Sequence, residues 1–524
     1  MGRGPMLNSH ATLYEALQHV IRQYPDKDAL VLGEARDTYR QFGQKVDALA
    51  AGLNRLGIGK GDKVGLILPV CLENLYAFFA LAKLGAPFVP ISPQLRAFEV
   101  QHILGDSEAA AVISVGHMMG HDYVAMIEGL RPALPNLRHI IVHGENARAG
   151  TISLPELLAT EPAPLDGESV SPDDLVGLMY TSGTTGLPKG AMHVHRSMLT
   201  QVAVVLDIFQ PEDLVAMLNH FPMFHHSGIA APLFFLLSGG KLVLAERFDP
   251  REALRLIEKE RISFLVGAPI TATILLKMAD IERRNLSSLR VFGMGGSLCP
   301  PELIRALKER LGCRVFNGLG ITEAGFVSTT RPDDPEDAQA STVGRPAQGV
   351  EVKIVDDERR QLAVGQTGEI ACRSAMRMEG YYKRPKETAE VMDEEGWYYT
   401  GDIGSLDERG YLSIFDRKKD MIIRGGENIY PAEIERFLVT NPKIQMAAVI
   451  GVPSEVGGER VRAYILPAQG AELTEIEVVN YCRGQIAAYK TPEEVRFVDN
   501  FPLSALWKVQ KYKLREQAMK ELQK

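Results

Sequence analysis

A run of small, hydroxyl and basic residues follows directly after an apolar stretch, Leu175 to Met179. The run occupies residues 180–190 and reads Tyr-Thr-Ser-Gly-Thr-Thr-Gly-Leu-Pro-Lys-Gly. Small residues let backbone N–H groups approach an anion, hydroxyls add donors, and the lysine adds a positive charge. A buried strand that opens into such a loop indicates a phosphate-binding site, with a nucleoside triphosphate as the expected ligand.

The spacing of this loop excludes the two commonest nucleotide-binding motifs. Lys189 lies between Pro188 and Gly190, whereas the P-loop requires Gly-Lys followed by Ser or Thr. The Gly-x-Gly-x-x-Gly pattern of dinucleotide-binding folds is also missing. Taken alone, the segment is equally compatible with a phosphate loop and with an ordinary surface loop, since clusters of Ser, Thr and Gly are typical of both.

Further loops of similar character follow along the chain. Each alone is compatible with a simple turn, and the charged run at 416–420 with a solvated one. They are Asn317 to Glu323, Tyr399 to Asp402, Asp416 to Ile422, Gly425 to Pro431 and Phe501 to Val509.

The elements that must position these loops alternate between strand and helix patterns. Short apolar runs at 64–68, 110–113, 139–142, 241–244, 264–266 and 290–292 predict strands, and 13–21 and 72–84 predict helices, the first with Thr12 as its N-cap. Such alternation favours α/β layers with mainly parallel sheets. After about residue 340 the pattern changes to short strands between turns. A smaller α+β pattern follows, with helices at 431–439 and 474–486.

Composition limits the class of protein. The chain has 524 residues, 24% of them charged, and a net charge of −8, which argues against nucleic acid as a partner. The sequence contains no run of 18 apolar residues, so no transmembrane segment is predicted. The first residues lack the apolar core of a signal peptide. The five cysteines form no C-x-x-C pair, so neither a zinc site nor a disulfide framework is predicted, and a reducing cytoplasm is the expected compartment.

Together, in this order, the loops closely resemble those of the adenylate-forming superfamily, which includes acyl-CoA synthetases, non-ribosomal adenylation domains and firefly luciferase. The resemblance extends from about Thr12 to Arg515 and is closest to acyl-CoA ligases. It implies an α/β fold with a large multi-sheet N-terminal adenylation domain, residues 1–418, and a small mobile α+β C-terminal domain, residues 419–524. It also implies a reaction in which a carboxylate attacks ATP to give acyl-AMP and pyrophosphate, and the thiol of coenzyme A (CoA) then gives acyl-CoA and AMP.

The same resemblance assigns residues to ATP and Mg²⁺. Glu323 matches the acid linked to Mg²⁺, Asp402 the acid that accepts hydrogen bonds from the ribose, and Arg417 a second ribose contact. The full set implied for ATP or AMP is Thr181, Ser182, Gly183, Thr184, Thr185, Lys189, Gly295, Gly296, Ser297, Asn317, Gly318, Leu319, Gly320, Thr322, Asp402, Arg417 and Lys508.

Catalysis of adenylation is assigned by the resemblance to Lys508, Glu323 and Thr185. The ammonium of Lys508 would bridge the carboxylate and the α-phosphate as charge develops between them. Trp507 stands where the family usually has glycine, Leu503 where it usually has Arg or Lys, and Leu319 where it usually has an aromatic residue on adenine. The indole of Trp507 adds bulk and favours a hydrophobic environment, which is compatible with anchoring the loop and with slowing its closure. A change to glycine is expected to leave adenylation normal or faster.

Thioester formation and the acyl pocket are assigned in the same way. Lys419 matches the hinge about which the small domain turns, and Gly425, Gly426 and Glu427 match the side of the CoA channel. The acyl pocket is matched by Phe224, His225, His226 and Gly228. His225 is equally compatible with a gate to this pocket and with a packed aromatic turn.

Several alternatives stay open from the sequence alone. A stand-alone enzyme that loads a carrier protein would share these motifs, and so would a nucleotide-binding relative with impaired catalysis. The acid could be medium-chain, aromatic, cyclic or short-chain, although the segment 222–228 lacks the aspartate usual in enzymes that activate amino acids. Dimers are common in the resembled family, so a homodimer is among the options.

Overall fold

The structure is a computed structural model that describes residues 11–522 apart from 145–147, 166, 182–186, 296–300, 332–333, 425–426, 455–457 and 505–507. The chain divides into two compact units. The larger comprises Met1–Glu351 and Arg373–Tyr398, and the smaller comprises Val352–Cys372 and Tyr399–Lys524. These units are defined by compactness, whereas the boundary predicted after residue 418 separates domains that move relative to each other. That boundary stays a prediction.

Two large sheets form the framework of the larger unit. The first has the spatial order Arg345–Pro346, Gly325–Thr329, Arg314–Ile321, Val291–Gly295, Phe264–Gly267, Ala216–Asn219, Lys241–Leu244, Asp28–Leu32, Ala35–Thr38. The second has the order Lys189–Val194, Leu175–Thr181, Phe88–Pro90, Val64–Ile67, Ala111–Val115, His139–His143, Ile152–Ser153. Their central pairs are parallel and antiparallel pairs lie at the edges, so the predicted α/β class is confirmed.

Helices pack on these sheets and bury two large apolar clusters. Thr12 caps the first helix through a capping box with Glu15, as predicted, and the helix predicted at 72–84 has the same bounds in the structure. The helices are Leu13–Gln23, Tyr39–Arg55, Leu72–Leu84, Ala97–Asp106, Tyr123–Leu130, Leu154–Leu158, His195–Ile208, His226–Leu237, Pro250–Glu260, Pro269–Leu276, Pro301–Leu311, Glu336–Ser341 and Pro385–Val391.

The smaller unit contains the short strands predicted after residue 340. One sheet has the order Glu351–Val355, Gly368–Arg373, Tyr398–Leu406, Leu412–Arg417, and three of its terminal strand residues, Glu351, Arg373 and Tyr398, belong to the larger unit. Another has the order Glu427–Ile429, Ile422–Arg424, Gly458–Pro467, Ile444–Ser454, with Glu494–Phe497 beside Gly458–Pro467. The helices Pro431–Leu438, Glu475–Cys482 and Lys511–Leu522 pack on this sheet and enclose its core.

Among the residues that the structure describes, no helix is both long enough and apolar enough to cross a membrane.

Candidate active site

The predicted phosphate loop joins two antiparallel strands of the larger unit. Leu175–Thr181 and Lys189–Val194 pair so that Thr181 lies opposite Lys189. This register places both residues at the open end of the strand pair, as the sequence predicts. Ser182, Gly183, Thr184 and Thr185 lie outside the described residues.

A buried carboxylate, Glu323, meets the end of this strand pair. Its Oε1 accepts a hydrogen bond of 2.9 Å from the hydroxyl of Thr181 and one of 3.0 Å from the hydroxyl of Tyr381. Glu323 is 9% exposed, and the backbone N–H of Met378 donates to its carbonyl oxygen. The structure therefore brings together Thr181 and Glu323, which are 142 positions apart in the sequence.

Tyr381 is a residue of this site that the sequence analysis missed. Its ring lies beneath the ammonium of Lys189, with 5.4 Å between Nζ and the ring centroid. Burial and the neighbouring Glu323 raise the pKa of Tyr381, so its hydroxyl is protonated and donates to the carboxylate. A tyrosine pair before Lys383, Arg384 and Pro385 was the available signal, but no spacing rule connects it to Glu323.

Glu323 offers a suitable ligand for Mg²⁺. A hard cation of this kind is usually held by one or two carboxylates together with phosphate oxygens and water. Both recorded hydrogen bonds of Glu323 reach Oε1 and come from neutral hydroxyls, and among the described residues Oε2 has no recorded donor. The donor set thus fits the ion that the sequence analysis assigns to this residue.

The predicted adenine side lies on the first sheet. Gly295 ends its strand directly opposite Gly318, and a Cβ at Gly318 would lie 2.9 Å from the carbonyl oxygen of Ser328. Asn317 is 1% exposed, and its side-chain amide donates to the carbonyl oxygen of Thr342 at 3.3 Å, so it braces the turn from inside.

The remaining residues of that turn are more open. Leu319 and Thr322 are half-buried, and Gly320 is exposed. Gly296 and Ser297 lie outside the described residues.

The predicted acyl segment forms a tight turn before the helix His226–Leu237. His225 is the N-cap of this helix, and its ring lies 4.7 Å from that of Phe224. Gly228 is required here because a Cβ would lie 2.0 Å from the carbonyl oxygen of Pro222.

The second histidine of this segment is part of the packing. The ring nitrogens of His226 lie 3.0 Å from Sδ of Met179 and 3.0 Å from Oε1 of Gln201. Desolvation lowers the pKa of His226 to about 4, so the ring is neutral at pH 7. Behind it, the apolar residues of the helix are largely buried, and Ile229 and Leu233 belong to the core.

In the smaller unit, Asp402 and Arg417 form a close ion pair. They are directly opposite each other on the antiparallel strands Tyr398–Leu406 and Leu412–Arg417. Arg417 Nε lies 2.7 Å from Asp402 Oδ1, and the side chain of Asp402 is 7% exposed against 51% for that of Arg417. Burial raises the pKa of Asp402, while Arg417 and Lys508 oppose that shift.

The charges of Arg417 and Asp402 also act on the ammonium of Lys508. Leu503 bridges to Val509, the N–H of Ser504 donates to the carbonyl oxygen of Lys508 at 2.8 Å, and the N–H of Lys508 donates to the hydroxyl of Ser504 at 3.1 Å. Lys508 is exposed when the whole residue is considered. Desolvation of its ammonium and the nearby charge of Arg417 nevertheless lower its pKa, and the charge of Asp402 opposes this shift. Trp507 lies outside the described residues.

The predicted hinge lies in a single turn of 3₁₀ helix, Lys418–Asp420. The neighbours of Lys419 are tied down, since Lys418 pairs with Asp357 at 2.8 Å and Asp420 pairs with Arg515 at 2.8 Å. Lys419 itself is exposed and has no recorded side-chain partner among the described residues.

The predicted CoA segment lies on a strand pair of the smaller unit. Ile422–Arg424 and Glu427–Ile429 pair in antiparallel fashion, with Arg424 opposite Glu427. Gly425 and Gly426 lie outside the described residues, and so does the side chain of Glu427.

Three further residues are of the types that bind metal ions. Among the described residues, donor atoms of Cys71, Glu73 and His143 lie within 4.8 Å of one another. Burial and the nearby Glu73 raise the pKa of the Cys71 thiol, so a metal ion would have to displace its proton. None of these residues belongs to the predicted site.

Comparisons with known proteins identify the family. The chain matches the family described as AMP-binding enzyme over residues 17–382 and the AMP-binding enzyme C-terminal domain over residues 433–508. It is 36% identical over 521 residues to a (7a-methyl-1,5-dioxo-octahydroinden-4-yl)propanoyl:CoA ligase of Mycobacterium tuberculosis, with 98% of this chain and 100% of the relative covered. It is 34% identical over 525 residues to the medium-chain fatty-acid–CoA ligase of Escherichia coli, with 98% and 91% covered.

Solved structures agree with this assignment. The crystal structure of the anthranilate CoA ligase AuaEII in complex with anthranoyl-AMP is similar, with a TM-score of 0.88, 27% identity and 98% of each chain covered. The chain therefore belongs to the AMP-binding enzyme family, within the adenylate-forming superfamily. The predicted fold and function class, an AMP-forming acid–CoA ligase with ATP and CoA as substrates, are confirmed.

Proposed function

We propose that this ligase activates a carboxylic acid with an apolar body, and that Lys508, Asp402 and Arg417 carry the adenylation step. The observation that carries this assignment is the proximity of these three residues, which come from separate segments of the chain. Asp402 accepts hydrogen bonds from the ribose hydroxyls, and the positive charge of Arg417 opposes the rise in the pKa of Asp402 that burial causes. Lys508 supplies the positive charge that an attack by one anion on another requires.

Glu323 is proposed as the residue that holds Mg²⁺. A bound ion would neutralise phosphate charge and make pyrophosphate a better leaving group. Thr181 orients the carboxylate through its hydroxyl, and Lys189 contributes a cation at the other side of the phosphate loop. Thr185 is proposed as a further phosphate contact on the sequence resemblance alone.

The thioester step is proposed to need a turn of the small domain about Lys419. This residue is exposed between anchored neighbours, and a hinge needs such a position, at which backbone angles change while the flanking segments stay packed. The change would withdraw Lys508 and bring the strand pair that flanks residues 425–426 towards CoA.

An apolar acid is supported by two kinds of observation. The relatives described above are named for a medium-chain fatty acid, an alicyclic propanoate and anthranilate, which share an apolar carbon skeleton. In this chain, Ile229 and Leu233 of the helix after the acyl segment pack beside Phe78 and Phe88 in the core. An acyl pocket that extended along this side would be lined by hydrocarbon rather than by charged groups.

Two further proposals concern the state of the enzyme in the cell. Cys71, Cys313, Cys372 and Cys482 are free and buried, which is compatible with a reducing compartment such as the cytoplasm. A homodimer stays a prediction from the resemblance, and sedimentation of the purified enzyme would test it.

The test separates the two half-reactions. We expect Lys508→Ala to lower carboxylate-dependent ATP–pyrophosphate exchange by about 10²–10³-fold, the range found when one stabilising donor is removed, while supplied acyl-AMP is still converted to acyl-CoA. Lys513→Ala, an exposed lysine of the helix Lys511–Leu522, is the control and should leave both steps unchanged. Equal loss of both steps in Lys508→Ala would refute the role assigned to Lys508.

To identify the substrate, a panel of medium-chain, aromatic, cyclic and short-chain carboxylates is tested in the same exchange assay. A preference for acids that carry a second charged group, such as dicarboxylates or α-amino acids, would contradict the proposed substrate class. Activity only with a carrier protein, and not with free CoA, would contradict the proposal that CoA is the acyl acceptor.

A further inference from the structure

Tyr381 contacts three residues that the sequence analysis assigned to the phosphate and metal site. Its hydroxyl donates to Oε1 of Glu323 at 3.0 Å, and the hydroxyl of Thr181 donates to the same oxygen at 2.9 Å. Its ring faces the ammonium of Lys189, with Nζ 5.4 Å from the ring centroid. Tyr381 is 8% exposed, so these contacts are largely shielded from solvent.

The backbone around Tyr381 is held against the strand that begins at Lys189. Tyr381 bridges to Ala191 in antiparallel fashion, the N–H of Tyr382 donates to the carbonyl oxygen of Gly190 at 2.8 Å, and the N–H of Met192 donates to that of Gly380 at 2.9 Å. The segment 380–382 thus extends the edge of the sheet beside the phosphate loop.

Side chains next to Tyr381 anchor the same segment to a neighbouring helix. Arg384 and Tyr180 both donate to Asp106, at 2.7 and 2.8 Å, and Tyr180 precedes Thr181 on its strand. The strand that enters the phosphate loop and the segment that carries Tyr381 are therefore fixed to one carboxylate. This anchoring gives the hydroxyl of Tyr381 a defined place relative to Glu323.

We propose that Tyr381 is a positioning residue that orients the carboxylate of Glu323 for Mg²⁺ and holds Lys189 beside it for the phosphates of ATP. The inference rests on the proposed role of Glu323 as the metal-linked acid. A carboxylate can only accept hydrogen bonds, so two hydroxyl donors on Oε1 fix its rotation and direct Oε2 to the remaining space. Because the donors are neutral, the full negative charge stays available to a cation.

The ring of Tyr381 has a separate effect from its hydroxyl. An ammonium within about 6 Å of an aromatic face is attracted by the ring quadrupole. That attraction restrains a long, flexible lysine side chain, which otherwise loses rotamer freedom when it binds a phosphate. Removing the hydroxyl should therefore affect the metal, and removing the ring should also affect ATP.

The chain offers a matched pair of variants for the test. Tyr381→Phe removes the hydroxyl and keeps the ring, and Tyr381→Leu removes both. Tyr382→Phe is the control, because its hydroxyl also donates to a carboxylate at 3.0 Å, but that carboxylate is Glu108, outside the site. Mn²⁺ serves as the spectroscopic probe for the metal.

The direct measurement is Mn²⁺ binding by electron paramagnetic resonance, with the full-length enzyme and a non-hydrolysable ATP analogue. We expect Tyr381→Phe to bind Mn²⁺ about tenfold more weakly, since a hydrogen bond to a charged group is worth about that factor. In ATP–pyrophosphate exchange, the Mg²⁺ concentration at half-maximal rate should rise by about the same factor. The rate at saturating Mg²⁺ should change much less.

Tyr381→Leu should in addition raise the KM for ATP at saturating Mg²⁺. Unchanged Mn²⁺ binding and an unchanged Mg²⁺ midpoint in Tyr381→Phe would overturn the inference. So would an equal change in Tyr382→Phe.

A Glu323→Gln variant keeps failure of this inference separate from failure of the proposed function. If Glu323→Gln weakens Mn²⁺ binding and Tyr381→Phe does not, only the role of Tyr381 is wrong. If Glu323→Gln leaves Mn²⁺ binding unchanged, the metal assignment itself is wrong. A lower melting temperature in Tyr381→Phe without a shift of the Mg²⁺ midpoint would show a purely structural role and would also overturn the inference.

Discussion

Removal of the guanidinium of Arg417 should destabilise the smaller unit in a way that depends on pH. Asp402 is 5% exposed as a residue, and Arg417 Nε donates to it at 2.7 Å. A charge-assisted hydrogen bond of this kind is worth about 1.5–3 kcal/mol. Because about half of the arginine side chain is in solvent, we expect Arg417→Ala to cost about 1–2 kcal/mol, which corresponds to a few degrees in Tm.

The direction of the pH dependence follows from the carboxyl group. Burial already raises the pKa of Asp402 in the folded protein, and loss of Arg417 removes the main group that opposes the shift. A folded-state pKa above the unfolded value means that the folded protein disfavours the ionised form. The stability contributed by protonated Asp402 is lost as pH rises from the ordinary aspartate pKa, about 3.9, to the raised value. The cost of Arg417→Ala should therefore be smaller near pH 4 than near pH 8.

Differential scanning calorimetry across this pH range measures the effect. Asp402→Asn removes the buried charge, so in that background Arg417→Ala should cost little at any pH. Arg409→Ala is the control, since Arg409 forms an exposed pair with Asp407 at 3.2 Å and such pairs contribute little. An Arg417→Ala cost that is the same at pH 4 and pH 8, or the same in both backgrounds, would refute this account of the pair.

Two further substitutions test the framework around the site. Arg462 is 2% exposed and donates to Glu494 at 2.6 Å and to Glu521 at 2.8 Å. Arg462→Ala should therefore lower the free energy of unfolding, measured in urea, by about 3–5 kcal/mol. Arg436→Ala, at an exposed arginine, is the control and should not lower it. Gly228→Ala should lower stability by at least about 1–3 kcal/mol and impair acid activation, because its Cβ would meet the carbonyl oxygen of Pro222 at 2.0 Å. Gly129→Ala, in a helix with open space around the Cβ, is its control and should be stabilising by about 0.5–1 kcal/mol; equal losses in both variants would contradict the steric argument.

The sequence predicted those features that depend on local pattern. The helix Leu72–Leu84 and the strand Lys241–Leu244 were predicted with the bounds they have, because apolar periodicity and the flanking Gly85 and Gly240 define them locally. The longer strands of the smaller unit, such as Ile444–Ser454, extend beyond their apolar centres because backbone pairing continues through residues that are not apolar. Pro453 lies opposite Glu459, and Ser454 lies opposite Gly458.

The contacts of Tyr381 could not be predicted in this way. Tyr381 is 58 positions from Glu323 and reaches it only because segment 380–382 pairs with the strand Lys189–Val194. That pairing has no turn signal or repeat in the sequence, since it is a contact between distant segments. The neighbouring Tyr382 has the same residue type and a different partner, so composition alone could not have selected Tyr381.

Two buried carboxylates, Asp402 in the smaller unit and Glu323 in the larger, have different kinds of partner, and the difference matches the task proposed for each. Asp402 is paired with a cation, so its charge is largely neutralised, and its oxygens are suited to accept hydrogen bonds from neutral ribose hydroxyls. Glu323 is held by the neutral hydroxyls of Thr181 and Tyr381, which fix its orientation without cancelling its charge. A carboxylate that must attract Mg²⁺ needs that remaining charge, because the ion gives up its water reluctantly. Exchanging the two environments, with a cation on Glu323, would therefore be expected to abolish metal binding even if every distance were kept.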